Sequence, residues 1–142
     1  MEELYELRSY IEQGRYADAL VLLGEMEEMS RDDKINKVGS FLEILLLHLI
    51  KRHAEKRTTR SWDISIRNAV EQITFVNKRR KAGGYYLTPE DLRAVIVERF
   101  PNALRLASLE SFEGVYDAAQ LAEMIDDEQL KEQAFRLIQE AQ

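Results

Sequence analysis

The stretch VGSFLEILLLHLI, residues 38–50, decides the fold because it contains the longest apolar run of the chain. Val38, Leu42, Leu45 and Leu49 recur at the spacing of one helix face, and the other apolar residues widen that face to most of the circumference. A helix that is apolar on most sides is surrounded by other helices. We therefore predict that this segment is the long apolar central helix of a helical bundle.

The same stretch bears on whether the chain enters a membrane. Its greasiest part, FLEILLLHLI, contains Glu43 and His48 and is much shorter than the roughly 20 apolar residues that a membrane-spanning helix needs. The first residues, MEELYELRSY, are acidic and lack the positive region and the apolar core of a signal peptide. The chain contains no cysteine, which suits a reducing compartment. The sequence therefore predicts a cytoplasmic protein without a membrane partner.

Helical spacing continues outward from the central segment in both directions. The phrase YIEQGRYADALVLLGEM, residues 10–26, is typical of a single helical hairpin that turns at Gly14, and no 34-residue repeat follows it. Ser30 and Asp33 form a capping-box pattern that predicts a new helix start. The other expected elements are a helix with Trp62 to Val76 on its buried face, capped by Thr59 or Ser61, a helix starting at Thr88 with a kink or brief break at Pro101, and helices at about 118–125 and 127–140.

Length and composition suit one helical domain. The chain has 142 residues, of which 45% are apolar and 32% are charged, so it can bury a core of its own. It contains only two prolines and six glycines, and no segment alternates apolar and polar residues as a strand would. We predict a single all-α domain over residues 1–142, a bundle of about five to seven helices.

Charge is unevenly distributed along the chain, whose net charge is −6. Residues 51–81 carry ten basic and three acidic side chains, whereas the segments before and after them are acidic. The basic segment either pairs with these acidic flanks or contacts the phosphates of a nucleic acid in a salt-sensitive manner. The residues expected to carry nucleic-acid binding are Arg60, Arg67, Lys78, Arg79, Arg80 and Lys81.

The two histidines, His48 and His53, do not form a metal site on a helix. At this spacing the two rings lie about 140° apart around the helix axis, whereas a zinc motif places its histidines on one face. The serines show no nucleophile elbow. We therefore predict no metal, no cofactor and no catalytic residue. His48 is expected to be a neutral, hydrogen-bonded core residue, and Trp62 to be a core residue rather than a platform for stacked bases.

Several short motifs occur together along the chain. They are Gly14-Arg15-Tyr16, Glu25-Met26-Glu27-Glu28-Met29-Ser30, His48-Leu49-Ile50-Lys51, Arg60-Ser61-Trp62 and Ile66-Arg67. From about residue 5 to residue 111 the pattern resembles the bacterial family catalogued as domain of unknown function twenty-nine, although Arg52 stands where the family usually has an aromatic residue. The resemblance implies an α-helical domain and no particular chemistry. It groups six residues around the central helix into one constellation: His48, Lys51, Arg60, Ser61, Trp62 and Arg67.

Three hypotheses about function follow from these patterns. The first is a non-enzymatic helical protein-interaction module that binds a protein partner or forms a homo-oligomer through a helix face. The second is a nucleic-acid-associated protein or small nuclease that uses the basic segment 51–81. The third is a hydrolase with a pocket lined by His48 and Arg60. We expect the first of these.

Overall fold

The computed structural model describes residues 2–79 and 82–142, and within these ranges the chain is all-α. The only β-type pairing among the described residues is one isolated bridge, between Lys78 and Tyr85. The predicted fold class and the predicted number of helices are confirmed. The helices are α1 (Glu2–Glu12), α2 (Tyr16–Glu55), α3 (Arg60–Asn77), α4 (Pro89–Glu110), α5 (Ala118–Ala122) and α6 (Asp127–Ala141), with a 3₁₀ turn at Ser111–Gly114.

Helix α2 differs most from the prediction. It is a single helix of 40 residues, so the helix start predicted at Ser30 is wrong. Ser30 and Asp33 are exposed residues inside the helix. Because their side chains can reach water, they bring no unpaired polar group into a core, and nothing forces the helix to end.

Side-chain caps begin the helices that follow α2. The hydroxyl of Thr59 caps α3, so the alternative cap Ser61 is not used, and Thr88 takes part in a capping box at the start of α4. Asp117 and Asp126 cap α5 and α6 in the same way. Each side-chain oxygen accepts a hydrogen bond from a backbone N–H that has no acceptor within its helix. The two threonine caps confirm predictions made from the sequence.

Helix α4 continues across Pro101, so the brief break considered at this position does not occur. Pro101 is exposed. A proline lacks the N–H that would bond to the preceding turn, and on the exposed side of a helix water can replace that donor. The helix therefore keeps its buried residues in register on both sides of the proline.

By its internal contacts the chain divides into two compact units, Met1–Lys34 and Ile35–Gln142. The larger unit contains the main apolar core, formed by the second half of α2 together with α3, α4, α5 and α6. Six of its twelve largest fully buried side chains come from the stretch 38–50, which explains why that stretch has so few polar residues. The prediction of one domain over residues 1–142 stays a prediction.

Gly39 on α2 lies close to the side chain of Arg99 on α4. A Cβ atom at this position would lie 2.6 Å from Nε of Arg99, so a larger residue would require the arginine side chain to shift. Arg99 donates to a carboxylate oxygen of Glu43 at 3.0 Å, and Asn102 donates to the other oxygen at 2.9 Å. The one acidic residue of the apolar run thus has two partners on α4.

The smaller unit is a helical hairpin made of α1, the turn after it and α2 as far as Lys34. Gly14 has a φ of 72°, a left-handed conformation that suits glycine, and it ends α1 as predicted. The Arg15 N–H donates to the Tyr10 carbonyl at 2.8 Å, and the Arg15 guanidinium lies 4.6 Å from the centre of the Tyr10 ring. Among the described residues of this hairpin only Ala19 is buried. The hairpin therefore has very little core of its own.

Candidate functional site at the junction of helices 2 and 3

The candidate site lies where α2 ends and α3 begins. Lys56 has a φ of 55°, a left-handed conformation that takes the chain out of α2. Three residues later Thr59 caps α3, accepting a hydrogen bond from the Trp62 N–H at 3.1 Å. The short connection brings Trp62 back beside the last turns of α2, where its ring meets Lys51.

Lys51 is the most unusual charged residue of this junction, because it is only 6% exposed. Its Nζ donates to a carboxylate oxygen of Glu110 on α4 at 3.0 Å. The same Nζ lies 4.6 Å from the centre of the Trp62 ring. A carboxylate and an aromatic face both stabilise a cation where water has little access. The structure thus joins Lys51 and Trp62, two residues of the predicted constellation, through direct contact.

The Trp62 ring also forms one wall of an open groove of about 370 Å³. The Arg57 guanidinium lies 4.7 Å from the centre of this ring and pairs with Glu55 at 3.1 Å. Trp62 is therefore half-buried and in contact with two cations. It is not the core residue that we expected. The groove is lined by Glu55, Arg57, Trp62, Glu110, Phe112 and Glu113.

The other wall of the groove is a turn with unusual backbone geometry. Phe112 and Glu113 have φ values of 51° and 58°, and Gly114 follows with 77°. For residues other than glycine this left-handed conformation costs about 1–2 kcal/mol each. The Phe112 ring packs edge-to-face on Tyr116, with ring centres 5.3 Å apart, and helps to hold the turn. The turn that forms this wall therefore has a backbone conformation that its residues would not adopt through their own conformational preference.

His48 lies one turn before Lys51 and is half-buried. Burial lowers the pKa of His48, and the nearby charge of Lys51 lowers it further, so the neutral imidazole is favoured. Within the part of the chain that the structure describes, His48 Nδ1 is buried without a hydrogen-bond partner, and so is the hydroxyl of Ser111. The expected hydrogen bond of His48 is therefore not found at Nδ1.

The remaining residues of the constellation lie elsewhere. Arg60 and Arg67 are exposed and line a second open groove of about 480 Å³, together with Asp63. A hydrogen bond from the Thr58 hydroxyl lowers the pKa of Asp63, and the neighbouring Arg52 lowers it further, so this groove contains a carboxylate between its arginines. Ser61 is exposed as well. Of the six residues of the predicted constellation, Trp62 lines the first groove, and Arg60 and Arg67 line the second.

The structure describes the first two residues of the basic run that follows α3. Lys78 and Arg79 are exposed, and the Arg79 N–H donates to the Gly84 carbonyl at 3.0 Å. Arg80 and Lys81 lie outside the described residues. The predicted nucleic-acid surface therefore stays a prediction.

Sequence reasoning missed Glu110, the partner of Lys51, and the role of Arg57 at Trp62. One signal pointed to such a partner. Lys51 follows Leu47 by one helical turn and so interrupts the apolar face of α2. A lysine at a buried position needs a carboxylate, although the sequence does not say which one.

Among residues 2–79 and 82–142, no three or more histidine or acidic side chains are grouped so that they could hold a metal ion. Over the same ranges, no helix has the length and apolar character that crossing a membrane requires.

The helices of the described residues define an all-α protein of helical-bundle type, with an open groove beside Trp62. The sequence model of the family described as "Domain of unknown function DUF29" matches residues 6–137. The chain therefore belongs to this family, as its motifs indicated. No curated protein and no solved structure matches the chain.

Proposed function

We propose that this protein is a non-enzymatic, cytoplasmic protein-interaction module that binds its partner through the smaller unit. The observation that carries the proposal is the apolar surface of the hairpin. Eight large apolar side chains are exposed in residues 2–34, as many as in the much longer remainder of the described chain. Apolar residues scattered singly over a surface are ordinary, whereas a contiguous exposed set marks an interaction site.

Five of these side chains fall at helical spacing into two stripes, one on each helix, which we together call the hairpin face: Leu4, Ile11, Tyr16, Leu20 and Leu23. On α1 its two members project within about 20° of each other, and on α2 its three members project within about 60°. Tyr16 and Leu20 are 64% and 68% exposed. Folding of the chain alone therefore leaves most of this surface in contact with water.

Both stripes of the hairpin face lie on one side of the hairpin. Leu7 on α1 and Ala19 on α2 are the more buried neighbours, and each lies about 60° from its stripe in the same rotational sense. Because the two helices of a hairpin run in opposite directions, the same rotational sense places both stripes on the same side. A partner can thus cover both stripes at once.

The composition supports the cytoplasmic part of the proposal. The chain has no cysteine and so cannot form disulfides, as is usual in reducing compartments.

Nucleic-acid binding is the second candidate, and the groove between Arg60 and Arg67 is the observation that favours it. Phosphate contacts release counterions, so such binding would tighten sharply as the salt concentration falls. Fluorescence anisotropy with labelled single-stranded and duplex RNA and DNA tests this candidate. Binding at low ionic strength that is lost in the double variant Arg60→Gln/Arg67→Gln would support it, and no binding at low ionic strength would remove it.

Site-specific photo-crosslinking in the cells that make the protein tests the interaction module. A photoreactive phenylalanine analogue replaces Leu20 in one variant, and in the control it replaces Val97, which is 57% exposed on α4. We expect a discrete protein adduct from position 20 and none, or a diffuse set, from position 97. The same yield and pattern of adducts from both positions, or no adduct from position 20, would contradict the proposal.

A further inference from the structure

We infer that the occupant of the hairpin face is the same face of a second copy of this chain. This inference rests on the proposed interaction function and specifies its partner. Two hairpins that pack through their apolar sides form a four-helix arrangement, in which each stripe is covered by helices of the other copy. A two-fold pairing uses one surface twice, so a single self-complementary face is sufficient.

The first support is the area of the hairpin face. From their exposed fractions, the five side chains present about 500 Å² to water. A standard interface buries about 800 Å² on each partner, and in homodimers about 65% of that area is apolar. The hairpin face therefore supplies close to the apolar core of one standard interface, and its polar border can supply the remainder.

The second support is the charge around the hairpin face. Six charged residues lie within about 90° of the centre of a stripe, three of each sign: Glu3, Arg8, Glu12, Glu27, Arg31 and Lys34. Arg8 and Glu12 pair with each other at 3.0 Å. Because the charges of this border balance, two copies can approach without a net repulsion at its edge. An acidic border would favour a basic partner, and this border is not acidic.

The hairpin as a whole is acidic, with ten acidic and four basic side chains in residues 1–34 and hence a net charge of −6. Seven of its ten acidic residues lie about 110° or more from the centres of the two stripes. They therefore face water when the hairpin face is covered, where salt screens their mutual repulsion. These seven residues form the outward acidic set: Glu2, Glu6, Asp18, Glu25, Glu28, Asp32 and Asp33.

The third support is the small core of the hairpin. Only Ala19 is buried among its described residues. The described members of the main core cluster all lie beyond residue 34. Pairing with a second hairpin supplies the burial that the unit lacks.

Sedimentation equilibrium of the purified full-length chain tests the inference. We expect a monomer–dimer equilibrium, and we expect Leu20→Glu to weaken it about tenfold or more, because a carboxylate would be buried at the centre of the interface. Val97→Glu is the matched control, since it introduces the same charge at an exposed apolar residue of α4, and it should leave the equilibrium unchanged. Thermal unfolding of each variant verifies that it folds.

A wild-type protein that is monomeric at all accessible concentrations would overturn the inference. A dimer weakened equally by Leu20→Glu and Val97→Glu, or by neither, would overturn it as well. These outcomes differ from a failure of the proposed function. A monomer that still forms an adduct with another protein from position 20 in cells would keep the interaction module and exclude the second copy as its partner.

Discussion

Lys51 shows how a single charged side chain is accommodated next to the main core. It is almost fully buried, but Glu110, its partner at 3.0 Å, has a side chain that is 49% exposed. The two partners therefore differ in what happens when the other is removed. Glu110 can be hydrated without Lys51, whereas Lys51 without Glu110 is a buried cation against the Trp62 ring.

This difference predicts unequal effects on stability. We expect Glu110→Gln to lower the free energy of unfolding by about 1–3 kcal/mol, because it leaves a buried ammonium without its carboxylate. Lys51→Met, which removes the charge and keeps an apolar side chain of similar length, should cost less than about 1 kcal/mol. Urea denaturation measures both, and Arg136→Gln at a more exposed pair serves as the control. A larger loss for Lys51→Met than for Glu110→Gln would contradict the assignment.

His48 predicts a pH dependence. Its pKa in the folded protein is below the ordinary value of 6.5, so the unfolded chain takes up a proton first as the pH falls. The contribution of His48 to stability is complete above about pH 7 and is lost as the pH decreases through 6.5 toward the lower folded pKa. We expect His48→Gln to reduce the slope of unfolding free energy against pH below about pH 7. Equal slopes in His48→Gln and the wild type would exclude this role.

At the scale of single residues, the sequence predicted which side chains are unusual. It was less successful in predicting which of these side chains are in contact. Lys51 and Trp62 do come together, but Arg60 and Arg67 line a separate groove. The reason is that the pairing of Lys51 depends on Glu110, which the fold brings from 59 residues away along the chain. No local pattern specifies such a contact.

A capping pattern marks a helix boundary only where the neighbouring residues also favour the end of the helix. The threonine caps at Thr59 and Thr88 were predicted correctly because each follows a loop that ends one helix before the next begins. The similar pattern at Ser30 failed because the residues before it are good helix formers and the polar side chains are exposed. A capping pattern is therefore informative only where the chain has another reason to leave the helix.

The cap at Thr88 yields a prediction for α4. We expect Thr88→Ala to lower the free energy of unfolding by about 1 kcal/mol, because the Asp91 N–H loses its acceptor at 3.1 Å. Thr88→Ser retains the hydroxyl and should stay close to the wild type. The midpoints of urea denaturation compare the three proteins. If the serine variant were as unstable as the alanine variant, the hydroxyl would not be the stabilising group.

For the whole molecule, the sequence predicted the all-α class because helical periodicity and the scarcity of glycine and proline extend along the entire chain. It did not predict that two compact units meet inside one continuous helix, because the boundary after Lys34 carries no glycine, proline or change of periodicity. The sequence did not predict the exposed hairpin face either. Its stripes have the spacing of ordinary core residues, and only the fold reveals that the chain leaves them uncovered.

The central claim for the whole molecule is that the hairpin face is covered by a second copy. Amide hydrogen exchange of the full-length protein at different concentrations tests it most directly, because it reports on each helix separately. We predict that exchange in residues 16–27 of α2 slows as the protein concentration rises from about 1 to about 100 μM, while exchange in α4 stays constant. Exchange in residues 16–27 that does not depend on concentration would contradict the claim.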